Sequence, residues 1–62
     1  MNYIDATITK IIEPLRREEY KGEAWWQMKV EIDSYGRKSE TVICNREKSE
    51  VEKYKVGDVI QV

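Results

Sequence analysis

The longest strictly alternating stretch of the chain is Ala-Trp-Trp-Gln-Met-Lys-Val-Glu-Ile-Asp at positions 24–33. Trp26, Met28, Val30 and Ile32 fall on one side of it, and Trp25, Gln27, Lys29, Glu31 and Asp33 on the other. A two-residue period of this kind predicts a half-buried antiparallel strand. Residues 3–12 alternate in the same way, with Ile4, Ala6 and Ile8 on one face and Tyr3, Asp5, Thr7 and Thr9 on the other. They are rich in β-branched residues and predict a first strand. Ile11 and Ile12 are adjacent, so the alternation breaks near Lys10, as a β-bulge would break it.

Residues 13–23 read Glu-Pro-Leu-Arg-Arg-Glu-Glu-Tyr-Lys-Gly-Glu. Pro14 lacks the amide that an inner strand needs, Gly22 offers a flexible return, and only Leu15 and Tyr20 are apolar anchors. The segment predicts a long charged loop, a feature uncommon in compact domains and often functional. After the tryptophan strand, Asp33-Ser34-Tyr35-Gly36-Arg37 predicts a hairpin with a three-residue loop and Asp33 facing Arg37. That register sets Met28 opposite Val42 and Trp26 opposite Cys44, turns Cys44 inward as a small core residue, and sends Ile43 outward. Residues 45–55 predict a short helical turn near 46–54, with Ser49 and Glu52 spaced as a capping box and Val51 and Tyr54 facing the core. Lys55-Val56-Gly57-Asp58 then turns the chain into a last strand over residues 59–62.

These elements predict a mainly β fold: a small curled antiparallel sheet or partly open barrel of four to five strands with one helical turn, forming a single domain over residues 1–62. Residues 24–62 carry a paired aromatic before a valine-containing strand, a Gly36-Arg37 hairpin and the closing Lys55-Val56-Gly57-Asp58-Val59 turn. In these features the chain resembles small SH3-like and OB-like β-barrel domains of uncharacterised bacterial and bacteriophage proteins. The resemblance implies a barrel-like fold and would suit a phage or prophage accessory protein. It implies no chemistry, because folds of this type host many functions.

The chain has 62 residues, close to the lower limit for folding without staples. Its 40% hydrophobic content and clear strand pattern argue against disorder even with 37% charged residues. Lysine and arginine number 11 against 12 acids, a net charge of −1, without the basic excess of a dedicated duplex-DNA binder. The single cysteine cannot form an internal disulfide, and there is no histidine. With no signal-peptide pattern and no apolar run of membrane-spanning length, the expectation is a cytoplasmic protein with no membrane association.

The sequence shows no nucleophile turn, phosphate loop or metal-ligand spacing, so the expectation is a non-enzymatic protein with no catalytic, cofactor or metal site. Trp25 and Trp26 cannot both face the core of one strand, and Trp26 continues the buried series. Trp25 then points outward, either covered by residues 13–23 or by the outer side of Tyr3 and Thr7, or serving as an aromatic platform. Tyr20, Arg16 and Arg17 in the predicted loop, Tyr35 at the hairpin tip, and Ile43 on the nominal outer face would join it as a rim. The favoured function is a small module that binds another protein through the outer side of the Trp25 strand and residues 13–23. One alternative is an OB-like single-stranded nucleic-acid binder, with Trp25, Tyr20 and Tyr35 stacking and Arg16, Arg17, Arg37 and Lys38 neutralising phosphate. Another is a structural homo-oligomer that self-associates through an open sheet edge.

Overall fold

The computed structural model describes residues 4–61; Tyr3 and Val62, assigned above to the first and last strands, lie outside the described residues. Four antiparallel strands, β1 (Asp5–Tyr20), β2 (Glu23–Ser34), β3 (Arg37–Asn45) and β4 (Val59–Gln61), form one sheet in the order β3-β2-β1-β4. A five-residue helix, α1 (Lys48–Glu52), follows β3. The sheet curls into a half-barrel, the small curled sheet that the alternation predicts. Its concave side holds the core: Ala6 and Ile8 of β1, Met28, Val30 and Ile32 of β2, and Val51 of α1. Leu15, Trp26, Ile43, Tyr54 and Ile60 pack against this cluster from its margins.

The curl has a local cause. Between Ile8 and Glu13 and again between Glu13 and Arg16, β1 gains residues relative to β2: the register passes from Ile8↔Ile32 to Lys10↔Glu31, from Ile11↔Val30 to Glu13↔Lys29, and then to Arg16↔Gln27. Each of the three shifts inserts one residue into β1, and a bulge bends its strand and increases its twist. The adjacent isoleucines mark one of these sites, as their broken alternation predicts.

Residues 13–23 are not a loop. Glu13 to Tyr20 continue β1, only Lys21 and Gly22 form the turn, and Tyr20 pairs directly with Glu23. Pro14 is tolerated for two reasons. It falls in the shift between Glu13 and Arg16, and β4 covers only Asp5 to Thr7 of the opposite side of β1, so no neighbour requires its missing amide. The charges that suggest a loop are ion-paired along the strand. Arg16 Nε lies 2.8 Å from Glu18 Oε1, and Arg17 meets Glu19 Oε2 at 3.0 Å, one pair on each face.

The β2–β3 hairpin also differs from the predicted register. Its loop has two residues, Tyr35 (φ 52°) and Gly36 (φ 85°), and Ser34 rather than Asp33 faces Arg37. Two successive left-handed residues are the signature of the tight hairpin turn whose twist matches the strands. Asp33 Oδ1 accepts the Gly36 N–H at 2.9 Å, so its carboxylate supports the turn and makes no cross-strand pair with Arg37. The one-residue slip reverses β3 with respect to the core. Met28 faces Ile43, which turns inward against the core, whereas Val42 and Cys44 point outward and are exposed.

Tyrosine at a left-handed position costs about 1–2 kcal/mol relative to glycine, and asparagine tolerates the conformation better. Tyr35→Asn is therefore expected to raise the melting temperature by about 4 °C or more in a domain of this size. A lowered melting temperature would show that the Tyr35 ring makes a compensating contact.

The helical turn forms where expected, and Val51 is fully buried. Its entry differs from the predicted capping box. Glu47 is the N-cap without a side-chain cap bond, Ser49 lies inside the helix, and Asn45 Oδ1 accepts the Glu47 N–H at 2.9 Å. The chain returns to β1 through Gly57 and Asp58. Gly57 N–H donates to Ile8 O at 2.8 Å, and Ile8 N–H donates to Asp58 O at 2.9 Å.

Candidate interaction surfaces

The residues expected to form one rim occupy two distant places. Directly paired residues share a face, so Arg16 (opposite Gln27), Glu18 (opposite Trp25) and Tyr20 (opposite Glu23) lie on the convex side with Trp25. Trp25 is half-buried, and its indole N–H donates to Gln27 Oε1 at 2.9 Å. Tyr20 is 64% exposed and sits diagonally across from Trp25 at the end of the β1–β2 hairpin. Tyr20, Trp25 and Arg16 therefore form one group on one face.

Tyr35, Arg37 and Lys38 are at the other end of β2, about ten residues and roughly 33 Å of strand away from Trp25. The longest dimension of the molecule is only 39 Å. Arg37 faces the concave side and Lys38 the convex side. Arg17, opposite Trp26, also faces the concave side, and Ile43 belongs to the core margin. The single aromatic and basic rim thus does not assemble.

The electrostatics of the hairpin end are close to balanced. Arg16, Arg17 and Lys21 stand against Glu13, Glu18, Glu19 and Glu23, three bases to four acids. Arg16 contacts both Glu18 and, at 3.8 Å, Glu13, while Glu23 is met by Arg46 at 3.0 Å. Farther along the convex face, Lys29 pairs with Glu40 at 3.3 Å and Thr9 Oγ1 donates to Glu31 Oε1 at 2.8 Å. Exposed pairs of this sort contribute about 0–1 kcal/mol each and mark a solvated surface. Lys53 is held above its ordinary pKa by a hydrogen bond from its ammonium to Glu50 and by that carboxylate's charge. Both side chains are about half exposed, Glu50 on α1 and Lys53 at its C-terminal cap, and they belong to the same solvated surface. Among the described residues no group of three or more carboxylate, thiol or imidazole side chains gathers as metal ligands. None of the described helices is long and apolar enough to cross a membrane.

A second feature is absent from the sequence reading. Because the sheet curls without closing, the free edges of β3 and β4 border a common groove of about 580 Å³. Val42 and Cys44 line one wall and Val59 and Gln61 the other. No signal within either strand reveals it, since it depends on the bulges of β1 to bring the two edges around the core.

No protein-family model, curated protein or solved structure matches this chain.

Proposed function

We propose that the chain is a non-enzymatic binding module whose partner is a protein, contacted through the convex side of the β1–β2 hairpin. The observation that carries this reading is the grouping of Tyr20, Trp25 and Arg16 on one face of that hairpin, with Tyr20 64% exposed. Tyrosine, tryptophan and arginine are the residue types that dominate protein–protein contact energies. The two rings also stand on a paired strand rather than a loop, so little conformational freedom is lost when they are covered. The nucleic-acid alternative is less well supported. Arg16 and Arg17 are engaged by Glu18 and Glu19, and Arg17 and Arg37 face the concave side, away from Trp25.

The test is capture of a partner by the immobilised chain, with the partner then identified and titrated. Tyr20→Ala and Trp25→Ala are each expected to weaken that complex by about 30-fold, the effect of a contact worth roughly 2 kcal/mol. Tyr20→Ala should leave the melting temperature nearly unchanged, because the ring is exposed. Lys55→Ala, at an exposed position in the turn that leads into β4, serves as the control. Unchanged affinity in both aromatic variants, or salt-sensitive capture of a single-stranded oligonucleotide, would overturn the reading.

A further inference from the structure

We infer that the groove between β3 and β4 accepts an extended peptide segment as a fifth strand, a site distinct from the convex face of the hairpin. The two-residue turn fixes which backbone groups of β3 are free. In such a hairpin the residues flanking the loop, Ser34 and Arg37, form a hydrogen-bonded pair, and bonded and non-bonded pairs then alternate. Arg37, Ser39, Thr41, Ile43 and Asn45 thus direct their backbone groups toward β2. Lys38, Glu40, Val42 and Cys44 direct theirs to the open edge.

On the opposite wall, the Ile8 N–H to Asp58 O bond fixes the alternation of the β1–β4 ladder. Ala6 and Ile60 then bond to each other, and Val59 and Gln61 present their backbone groups outward. The walls formed by Val42 and Cys44 and by Val59 and Gln61 therefore offer unpaired donors and acceptors to one cavity. Its floor is Ile43, Ile60 and Tyr54, all packed on the core. Hydrogen-bonding walls over an apolar floor fit an extended backbone with alternate apolar side chains.

The geometry also selects the occupant. A strand between β3 and β4 has both of its edges covered. The β3 edge of a second copy already has one side bonded to its own β2, so it cannot fill the slot. Only a segment with no sheet neighbours of its own can do so. The longer wall is β3, with nine residues against three in β4, so the segment runs antiparallel to β3 and parallel to β4. Its C-terminal end then lies beside Arg37 and Lys38, which have no ion-pair partner within 4 Å among the described residues. The ligand is accordingly an unstructured peptide with alternating β-branched residues followed by acidic ones.

The probe is the acetylated octapeptide amide Thr-Val-Thr-Val-Thr-Val-Glu-Asp, added to the full chain. Backbone amide exchange at Val42 and Cys44 is expected to slow at least tenfold on binding. Alkylation of Cys44, the only thiol in the chain, should slow in parallel. The same peptide N-methylated at alternate positions keeps every side chain but loses the donors of one edge, and is expected to bind at least tenfold more weakly. Reversing the acidic end to the N-terminus should also weaken binding. Val42→Pro removes an edge amide outside the β2–β3 ladder and should abolish binding; the N-methylated peptide on the unaltered chain decides the matter if that variant fails to fold.

Equal binding of the N-methylated peptide would overturn the proposal, as would protection confined to Tyr20 and Trp25. The latter result would leave the hairpin reading standing. Concentration-dependent self-association that protects Val42 and Cys44 without peptide would overturn it in favour of a second copy. Loss of partner capture in Tyr20→Ala, with peptide binding intact, would show that the two surfaces act independently.

Discussion

Ile8→Ala is expected to leave the chain largely unfolded under conditions where the unaltered protein is native. Ile8 is fully buried and faces Ile32 across the β1–β2 ladder. Its backbone also joins β1 to the return segment through both the Asp58 and the Gly57 hydrogen bonds. Truncating a buried isoleucine to alanine costs about 2–5 kcal/mol, from lost burial and from the cavity left behind. A core in a domain this small rarely supplies more than about 3–5 kcal/mol of net stability. The substitution therefore removes most of it.

Urea unfolding checks this directly, since the slope for small domains is about 1 kcal/mol per molar. The midpoint should fall by about 2 M or leave no native baseline. Ile8→Val, which removes one methylene, should fall between the two at about 0.5–1.5 kcal/mol. A midpoint shift in Ile8→Ala of less than about half a molar would remove Ile8 from the core.

The core was legible because alternation reports burial directly. Ala6, Ile8, Met28, Val30 and Ile32 are buried on the faces their spacing predicts, and Trp26 joins them at the margin. Where the structure departs from the sequence pattern, a local rule meets a tertiary exception. Proline normally argues against a strand, but Pro14 lies beyond the end of β4 and in a register shift, where no partner needs its amide. The Arg-Arg-Glu-Glu run, by its charge, predicts a loop. Its two-residue spacing instead puts Arg16 with Glu18 on one face and Arg17 with Glu19 on the other, a signal of strand that the charge count conceals.

The second departure comes from one residue in the turn. A three-residue loop places glycine at the single left-handed position and spares tyrosine that conformation. The chain instead puts both Tyr35 and Gly36 there, with Asp33 holding the Gly36 amide. The gain is on the far side of the ladder, where Ile43 enters the core opposite Met28. That single slip exchanged Ile43 for Val42 and Cys44 on the outer surface and moved a thiol to the free edge of β3. It also took Ile43 and Arg37 off the outer face, whereas Tyr35 is separated from Trp25 by the length of β2 in either register.

The helix provides the second large effect, and Val51→Asp isolates it. Five residues are too few for a helix to persist alone, because nucleation is unfavourable and only a few propagation steps follow. The segment Lys48–Glu52 is therefore helical because it is docked, and Val51 is its only buried residue. The surface pairs Lys48–Glu52 at 3.7 Å and Lys53–Glu50 at 2.9 Å are exposed and contribute little. A carboxylate at position 51 would have to be neutralised or expelled, and either course removes the anchor. Undocking uncovers the core margin at Ile43 and Tyr54, which also form the floor of the groove. The expected result is loss of a cooperative thermal transition, with increased binding of a hydrophobic dye at low temperature. Val56→Asp, at a position 57% exposed, makes the same chemical change and should melt close to the unaltered chain. If Val51→Asp melts within about 3 °C of the unaltered protein, α1 is an appendage and the half-barrel holds its core without it.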